Sequence, residues 1–362
     1  MVSTSTDTRA HDDNRTSHAG SPAASDPSAR AESAQQSTKS APHTPHQSNA
    51  EEQQYLDLVR LVLSQGETRA DRTGVGTLSI FAPPSLRFRL AGNRFPLLTS
   101  KRVFFRGVAE ELFWFLRGST DASLLSARGV RIWDSNGSRA FLDGRGLKHY
   151  REGELGPVYG FQWRHFGAEY VGPDADYTGK GVDQLRQVVD AVTRRPTDRR
   201  IIMSAWNPAD LPKMALPPCH MFCQLHVSTP TPTSPIPSLS CLLYQRSADL
   251  GLGIPFNIAS YALLVRIVAH ATGLLPGELV VQLGDAHVYA NHVDALGVQV
   301  GRTPKEFPTL EIKRAARVYK QPAEVTEGDV DEMVREIEAV VWENLDVKGY
   351  EPDKGVKMDM AV

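Results

Sequence analysis

The chain has 362 residues, with 40 Lys and Arg against 42 Asp and Glu, 41% hydrophobic residues and three cysteines. A formal charge of −2 provides no field to gather nucleic acid or an anionic membrane, and three cysteines cannot build a disulfide framework. The most apolar stretch, Ile258 to Leu275, is interrupted by Arg266 and His270, which argues against a membrane span and leaves an intracellular protein of a reducing compartment as the expectation, cytoplasmic with the nucleus left open, with no obligatory nucleic-acid partner.

In chain order, Met1 to Ala50 holds no Leu, Ile, Phe, Tyr, Trp or Cys but sixteen Ser and Thr. Such a segment cannot bury enough apolar surface to offset its ordering entropy, so residues 1–50 are expected to be a disordered polar tail and 51–362 the folded unit. Glu51 to Ser64 reads as a helix through Leu58, Leu61 and Val62, stopped by Gly66. After the glycine-containing loop Arg72 to Thr77, Leu86, Phe88 and Leu90 alternate with Arg87 and Arg89 as on a half-buried strand. Val103 to Leu116 and Val182 to Thr193 have helical stripes, the second stopped by Pro196. Strand-like runs follow at Arg200 to Trp206, His220 to Val227 and Leu239 to Gln245. The four prolines between Ser228 and Ser238 forbid a tight regular hairpin and predict an exposed extended loop. Asn257 to Thr272 is apolar nearly all round and predicts a buried central helix ended by Gly273; Asp329 to Trp342 predicts a late helix. Helices and strands mixed in this order predict one α+β domain, a mixed β-sheet core covered by helices.

Four groups of residues could carry chemistry. Glu111 sits on the apolar stripe of its helix, either at an edge or buried, and burial would raise its pKa into the range of proton handling. Pro217-Pro218 delivers Cys219 to the start of a strand, where it is either an inert thiol or a nucleophile needing cations nearby. Zinc on Cys219, His220, Cys223 and His226 is disfavoured, because strand alternation puts the cysteines on one face and the histidines on the other. Arg72, Arg199, Arg200 and Arg246-Ser247 suit a phosphate if they converge, and are solvated charges if they do not. Asn257 could cap its helix or read a base edge, and His287 and Tyr289 could meet one sugar hydroxyl if their segment is extended.

Taken together and in order, Arg72-Thr-Gly-Val-Gly-Thr77, Glu110 to Leu116, Gly156-Pro-Val-Tyr-Gly160, Asp198 to Ile202, Leu216-Pro-Pro-Cys-His220, Tyr244 to Asn257, Gly284 to Tyr289 and the ending Lys357 to Val362 resemble the thymidylate synthase family in its eukaryotic monofunctional form. The resemblance runs from about residue 51 to the last residue. It implies reductive methylation of dUMP to dTMP, with 5,10-methylenetetrahydrofolate as co-substrate supplying both carbon and hydride, no metal and no nicotinamide. It implies that Cys219 attacks carbon 6 of the uracil, with Glu111, Tyr159, Asn257 and Asp249 as the other catalytic residues. The dUMP set would be Arg72, Arg246, Ser247, Gln245, Asp249, Asn257, His287 and Tyr289, with Arg199 and Arg200 supplied by the partner of a homodimer. The folate set would be Lys101, Ile132, Trp133, Asp249, Gly253, Phe256 and Ala361, with Val362 closing over the ligands. The N-terminal fifty residues, the proline-rich loop and a long stretch from Glu324 to Trp342 depart from the family pattern without removing a catalytic residue.

Three other readings are open to the residues. A pyrimidine nucleotide hydroxymethylase on the same scaffold would quench with water; Asn257 argues for uracil, since an Asp there would suit cytosine. A Cys219–His287 hydrolase leaves the arginines unexplained. A nucleotide- or RNA-binding regulator would keep full function without the Cys219 thiol.

Overall fold

The computed structural model describes residues 49–360, so the expected polar tail lies outside the described residues except for Asn49 and Ala50. Asn49 opens α1 (Ala50–Gln65): its side chain accepts from the N–H groups of Glu51 and Glu52 at 3.2 and 3.4 Å. This cap is why helical structure begins just ahead of the expected Glu51. The strands β1 (Glu67–Arg69), β2 (Thr77–Phe81) and β3 (Leu86–Arg89) precede α2 (Phe105–Leu116) and the short helices α3 (Ser123–Ser126), α4 (Asp134–Gly137) and α5 (Arg139–Gly144). Then come α6 (Tyr159–His165), α7 (Gln184–Arg194), β4 (Ile202–Ser204), β5 (His220–Val227), β6 (Ser238–Asp249), α8 (Gly253–Thr272) and β7 (Leu275–Tyr289). The last elements are α9 (Val293–Val300), β8 (Thr309–Ile312), α10 (Glu327–Glu338) and β9 (Leu345–Lys348).

The main sheet runs β1-β2-β7-β6-β5-β4, with β3 beside the first half of β7; only β6 and β7 are parallel, joined by the α8 crossover, while β8 and β9 form a separate pair. Register sorts the side chains into two faces. Met203, Cys223, Leu243 and Val281 form one cross-strand row, all buried against the helices. The neighbouring row, Ile202, Gln224, Leu242 and Val280, points the other way and none of it is buried. The architecture is therefore α+β, with a mixed sheet carrying helices on one face.

Helix α8 is the centre of the core, its Leu263, Val265, Ile267 and Val268 at 0–1% exposure. Each such side chain contributes about 1.5–3 kcal/mol through burial. Although α8 is apolar enough for a membrane span by length and composition, 83% of that window is packed inside the protein. Gly273 ends it at φ 76°, and a Cβ there would lie 2.5 Å from the backbone nitrogen of Tyr319. That combination of left-handed backbone and close approach excludes other residues.

Several expectations change. Helix α8 starts at Gly253, four residues before Asn257; its N-cap residue is Leu252, and Asp249 at the end of β6 orders the turn into the helix by accepting from the N–H groups of Gly251, Leu252 and Gly253 at 2.8, 3.1 and 3.3 Å. Asn257 is thus inside the helix and is no cap. The late helix stops at Glu338, short of Trp342. Residues 228–238 form the exposed loop expected of their prolines, a wide connection between two antiparallel strands with a small turn at Thr231–Ser234. The strand β7 extends nine residues upstream of the Gly284–Tyr289 motif.

Candidate active site

The strand ends define the site. Because β5 is antiparallel to β6, its start pairs with the end of β6, His220 opposite Gln245, and parallel β7 brings Asp285 and His287 opposite Ser247 and Asp249. Cys219, one residue ahead of β5, therefore meets Gln245 to Asp249, the first turns of α8 and His287 to Tyr289 at one end of the sheet. Helix α2 and the start of α6 close the other side. The result is a cleft of about 460 Å³ lined by Lys101, Glu111, Ile132, Trp133, Tyr159, Cys219, Gln245, Ser247, Asp249, Gly253, Phe256, Asn257, His287 and Tyr289.

Cys219 is fixed by its backbone. Its N–H donates to the Tyr159 hydroxyl at 2.8 Å, and its carbonyl accepts from the Arg246 N–H at 2.9 Å. The Arg246 guanidinium lies behind the thiol, donating to Pro218 O at 2.8 Å and Pro217 O at 3.1 Å, with Trp206 5.3 Å from it. The proline pair thus has a second purpose: its carbonyls anchor the cation. Burial pushes the Cys219 thiol up, Arg246 and Arg72 pull it down, and Asp249 adds to the rise. Burial wins in the isolated chain, so the expected cationic activation is present but outweighed. Gly156 sets the approach to Tyr159: its φ is 74°, and a Cβ would lie 2.2 Å from Lys213 O.

Glu111 is buried, and burial raises its carboxyl from 4.5 to about 8 while a 2.7 Å hydrogen bond from Trp133 Nε1 opposes the rise. Tyr159 is held well above the ordinary phenol range by burial and the neighbouring Cys219. Its ring stacks on His220 at 4.0 Å and 20°. His220 Nδ1 lies 2.9 Å from the Tyr261 hydroxyl, and burial pushes its imidazole down to about 3. A register shift between His220 and Phe222 breaks the strict alternation on which the zinc argument rested: Cys219 lines the cleft, whereas Cys223 is wholly buried in the core.

The neutral readers are oriented by one another. Gln245 Nε2 donates to Ser247 O at 3.0 Å and to Asn257 Oδ1 at 3.1 Å, which sets the Asn257 amide with its NH2 still free to donate. Gln245 Oε1 is buried without a partner among the described residues, an acceptor left for a ligand. His287 Nδ1 lies 3.1 Å from Asp285 Oδ1, which also accepts from Ser79 at 2.8 Å. Lys101, lowered to about 8 by burial, donates to Gly251 O, and Ile132, Trp133 and Phe256 give the cleft its apolar flank.

The arginines are divided. Arg246 is held beside Cys219 by the two proline carbonyls, and Arg72 is exposed, on a loop whose Asp71 accepts from Thr73 N and Gly76 N at 2.8 Å each. Arg199 and Arg200 do not reach the cleft of their own chain; Arg200 is exposed and turned onto Asp198 at 2.9 Å. Ala361 and Val362 lie outside the described residues, but Met360 lines the cleft and Asp359 O is 2.7 Å from His292 Nε2. Sequence reasoning passed over His220 and His292. His220 was weighed only as a metal ligand, and nothing in the run Tyr289 to His292 signals that His292 has 0% exposure.

Residues 53–362 match the family model described as thymidylate synthase. Among curated relatives, the thymidylate synthase of Agaricus bisporus is 56% identical over 86% of this chain and 99% of its own length. That of Saccharomyces cerevisiae is 55% identical over 87% and 98%, and that of human herpesvirus 8 is 54% identical over 88% and 86%.

Proposed function

The chain belongs to the thymidylate synthase family, a methyltransferase family that converts dUMP to dTMP with methylenetetrahydrofolate as co-substrate, and we propose that it performs this reaction by covalent catalysis at Cys219. The observation that carries the assignment of residues is the single cleft that unites Cys219 with Asn257, Glu111, Tyr159 and an apolar flank. The Cys219 sulfur attacks carbon 6 of the uracil, making carbon 5 nucleophilic. The Asn257 amide, set by Gln245, pairs with the uracil edge, and Ser247 of the cleft with its neighbour Arg246 would hold the nucleotide phosphate. His287 and Tyr289 are adjacent on extended strand, ring centroids 5.3 Å apart, as meeting one ribose hydroxyl requires. Glu111, a carboxyl that can hold or release a proton near neutrality, manages proton transfer through water, and the Tyr159 hydroxyl serves removal of the carbon 5 proton.

The flank of Ile132, Trp133 and Phe256 with Lys101 suits a flat heterocycle carrying an anionic tail, so these residues would hold the folate, which supplies the methyl carbon and the hydride. The bond from His292 to Asp359 O leads the chain end toward this cleft, which supports closure by Ala361 and Val362.

A homodimer is supported by the uncovered sheet face, where Ile202, Phe222, Leu242, Tyr244 and Val280 stand on adjacent strands with Phe222 and Tyr244 stacked at 5.6 Å. Arg199 and Arg200 precede the edge strand of that face, both exposed and neither lining their own cleft, the placement expected of residues given to a partner's phosphate site. Their charges would add to Arg246 and Arg72 in drawing the thiol toward thiolate. Following dihydrofolate formation spectrophotometrically with dUMP and methylenetetrahydrofolate tests the reaction. Turnover to hydroxymethyl-dUMP without dihydrofolate would contradict it.

A further inference from the structure

The loop between β5 and β6 has a feature that dUMP methylation does not use. Within residues 228–238 stand three hydroxyl–proline dipeptides, Thr229-Pro230, Thr231-Pro232 and Ser234-Pro235. Every residue from Thr229 to Ile236 is exposed. The prolines deny the loop ladder donors, and its tip is held by two backbone bonds between Thr231 and Ser234 at 3.0 and 3.1 Å. Opening such a solvated turn costs little, so the segment can be drawn out as an extended substrate.

Two residues beyond Ser234, Ile236 forms one wall of a surface groove of about 660 Å³ that shares no lining residue with the catalytic cleft. Arg266 of α8 and Arg314 line the same groove. Arg266 is only 5% exposed; it donates to Leu90 O at 3.3 Å, Asn93 Oδ1 at 2.9 Å and Leu310 O, and its buried Nε has no partner among the described residues. Arg314 donates to Ala339 O at 2.9 Å. Among the described residues neither arginine meets a carboxylate. The other charges facing the groove are neutralised locally: Arg317 by Asp329, Glu332 and Glu336, and Glu311 by Lys348. Two guanidinium groups without a carboxylate partner thus line one groove, and such a pair suits an anion.

We propose that Ser234 is a phosphorylation site for a proline-directed protein kinase, and that its phosphate seats on Arg314 and Arg266 in this groove. In the modification, the serine oxygen bonds to the γ-phosphorus of ATP as the bond to the leaving ADP oxygen breaks, and the hydroxyl proton passes to the kinase's base. Ser234 is preferred over Thr229 and Thr231 because it is the nearest of the three in sequence to Ile236 of the groove wall. Two residues of extended chain span about 7 Å, within the combined reach of a phosphoserine and an arginine. Its hydroxyl makes only a 3.3 Å contact with Ile236 O, whereas the Thr231 hydroxyl also accepts from Ser234 N at 3.1 Å. Two positive charges with no carboxylate between them favour the dianionic phosphate.

The test uses the full chain, ATP and a purified proline-directed kinase, with peptide mapping by mass spectrometry and a phosphorus NMR titration of the product. Modification at Ser234 and its loss in Ser234→Ala are expected, with a phosphate half-titration below the ordinary value of about 6. Arg314→Ala, at an exposed position, should return the titration toward that value. Burial holds His270, the remaining titratable imidazole of the groove, below its ordinary range, so it stays neutral through the window. Phosphate on Thr229 or Thr231 in place of Ser234, or none on the folded chain when a free peptide of residues 226–240 is modified, would overturn the site. A titration matching that of the free phosphopeptide and unmoved by Arg314→Ala would overturn the seating.

Discussion

Glu111→Gln separates the demands of the reaction from those of the fold. The Glu111 carboxyl is raised by burial from 4.5 to about 8, so over that interval it is protonated in the folded chain and ionised in the unfolded one. Unfolding then releases a proton, and stability falls as pH rises. Below the unfolded value the group is neutral in both states and costs nothing; above the folded value it is ionised in both and the full cost remains. At 1.36 kcal/mol per pH unit the interval is worth about 5 kcal/mol, comparable to the lower end of the 5–15 kcal/mol that holds a domain folded. Glutamine keeps the shape and the acceptor for the Trp133 indole but cannot ionise. Its extra amide donor adds an offset independent of pH, so the observable is the slope. Urea unfolding from about pH 4 to about pH 9 should show the two proteins diverging as pH rises, the variant gaining several kcal/mol on the wild type by about pH 8. Turnover of the variant should collapse while dUMP still binds. Parallel stability curves would refute the assignment of a neutral, buried Glu111.

Chains carrying Cys219→Ala and Arg200→Ala are each expected to be inactive, and their mixed dimers should regain part of the dUMP turnover by assembling one intact site. No recovery after confirmed subunit exchange would count against shared sites. Tyr159→Phe leaves the Cys219 N–H without its acceptor, which should cost about 1–3 kcal/mol in chemical denaturation and speed hydrogen exchange at that amide; unchanged exchange would show the bond to be unimportant. Burial holds His220 at about 3 against 6.5, so it is neutral in the fold and its stability contribution is present above 6.5 and lost as pH falls toward 3. Its imidazole NMR signals should stay fixed between about pH 8 and about pH 5, and a midpoint inside that window would contradict the burial argument.

Much of the site was legible because its residues lie in short runs with their own local logic. Pro217-Pro218 can only be extended, so Cys219 had to arrive at a strand start, and Glu111 on an apolar stripe had to be an anomaly. What was not legible depended on contacts between distant segments. Helix α8 begins ahead of Asn257 because Asp249 orders the turn directly after β6, and no periodicity separates that start from one at Asn257. The bulge after His220 reverses the expected facing of Cys219 and Cys223, since one extra residue moves every later side chain to the other face. No strand was expected directly ahead of Gly284, yet pairing with β6 and β3 holds the chain extended from Leu275 onward. The roles of Arg199 and Arg200 were implied by family pattern, and one chain's geometry supports them only through what those residues fail to touch.

The most direct test of covalent catalysis at Cys219 is mass spectrometry of the chain incubated with methylenetetrahydrofolate and a dUMP analogue carrying fluorine at carbon 5, where the proton removed in turnover is missing. The expected result is a stable adduct of nucleotide and folate together on the peptide containing Cys219, absent when either ligand is omitted and absent in Cys219→Ser. Normal dTMP formation by Cys219→Ser, or an adduct carried by Cys223 or Cys241, would contradict it.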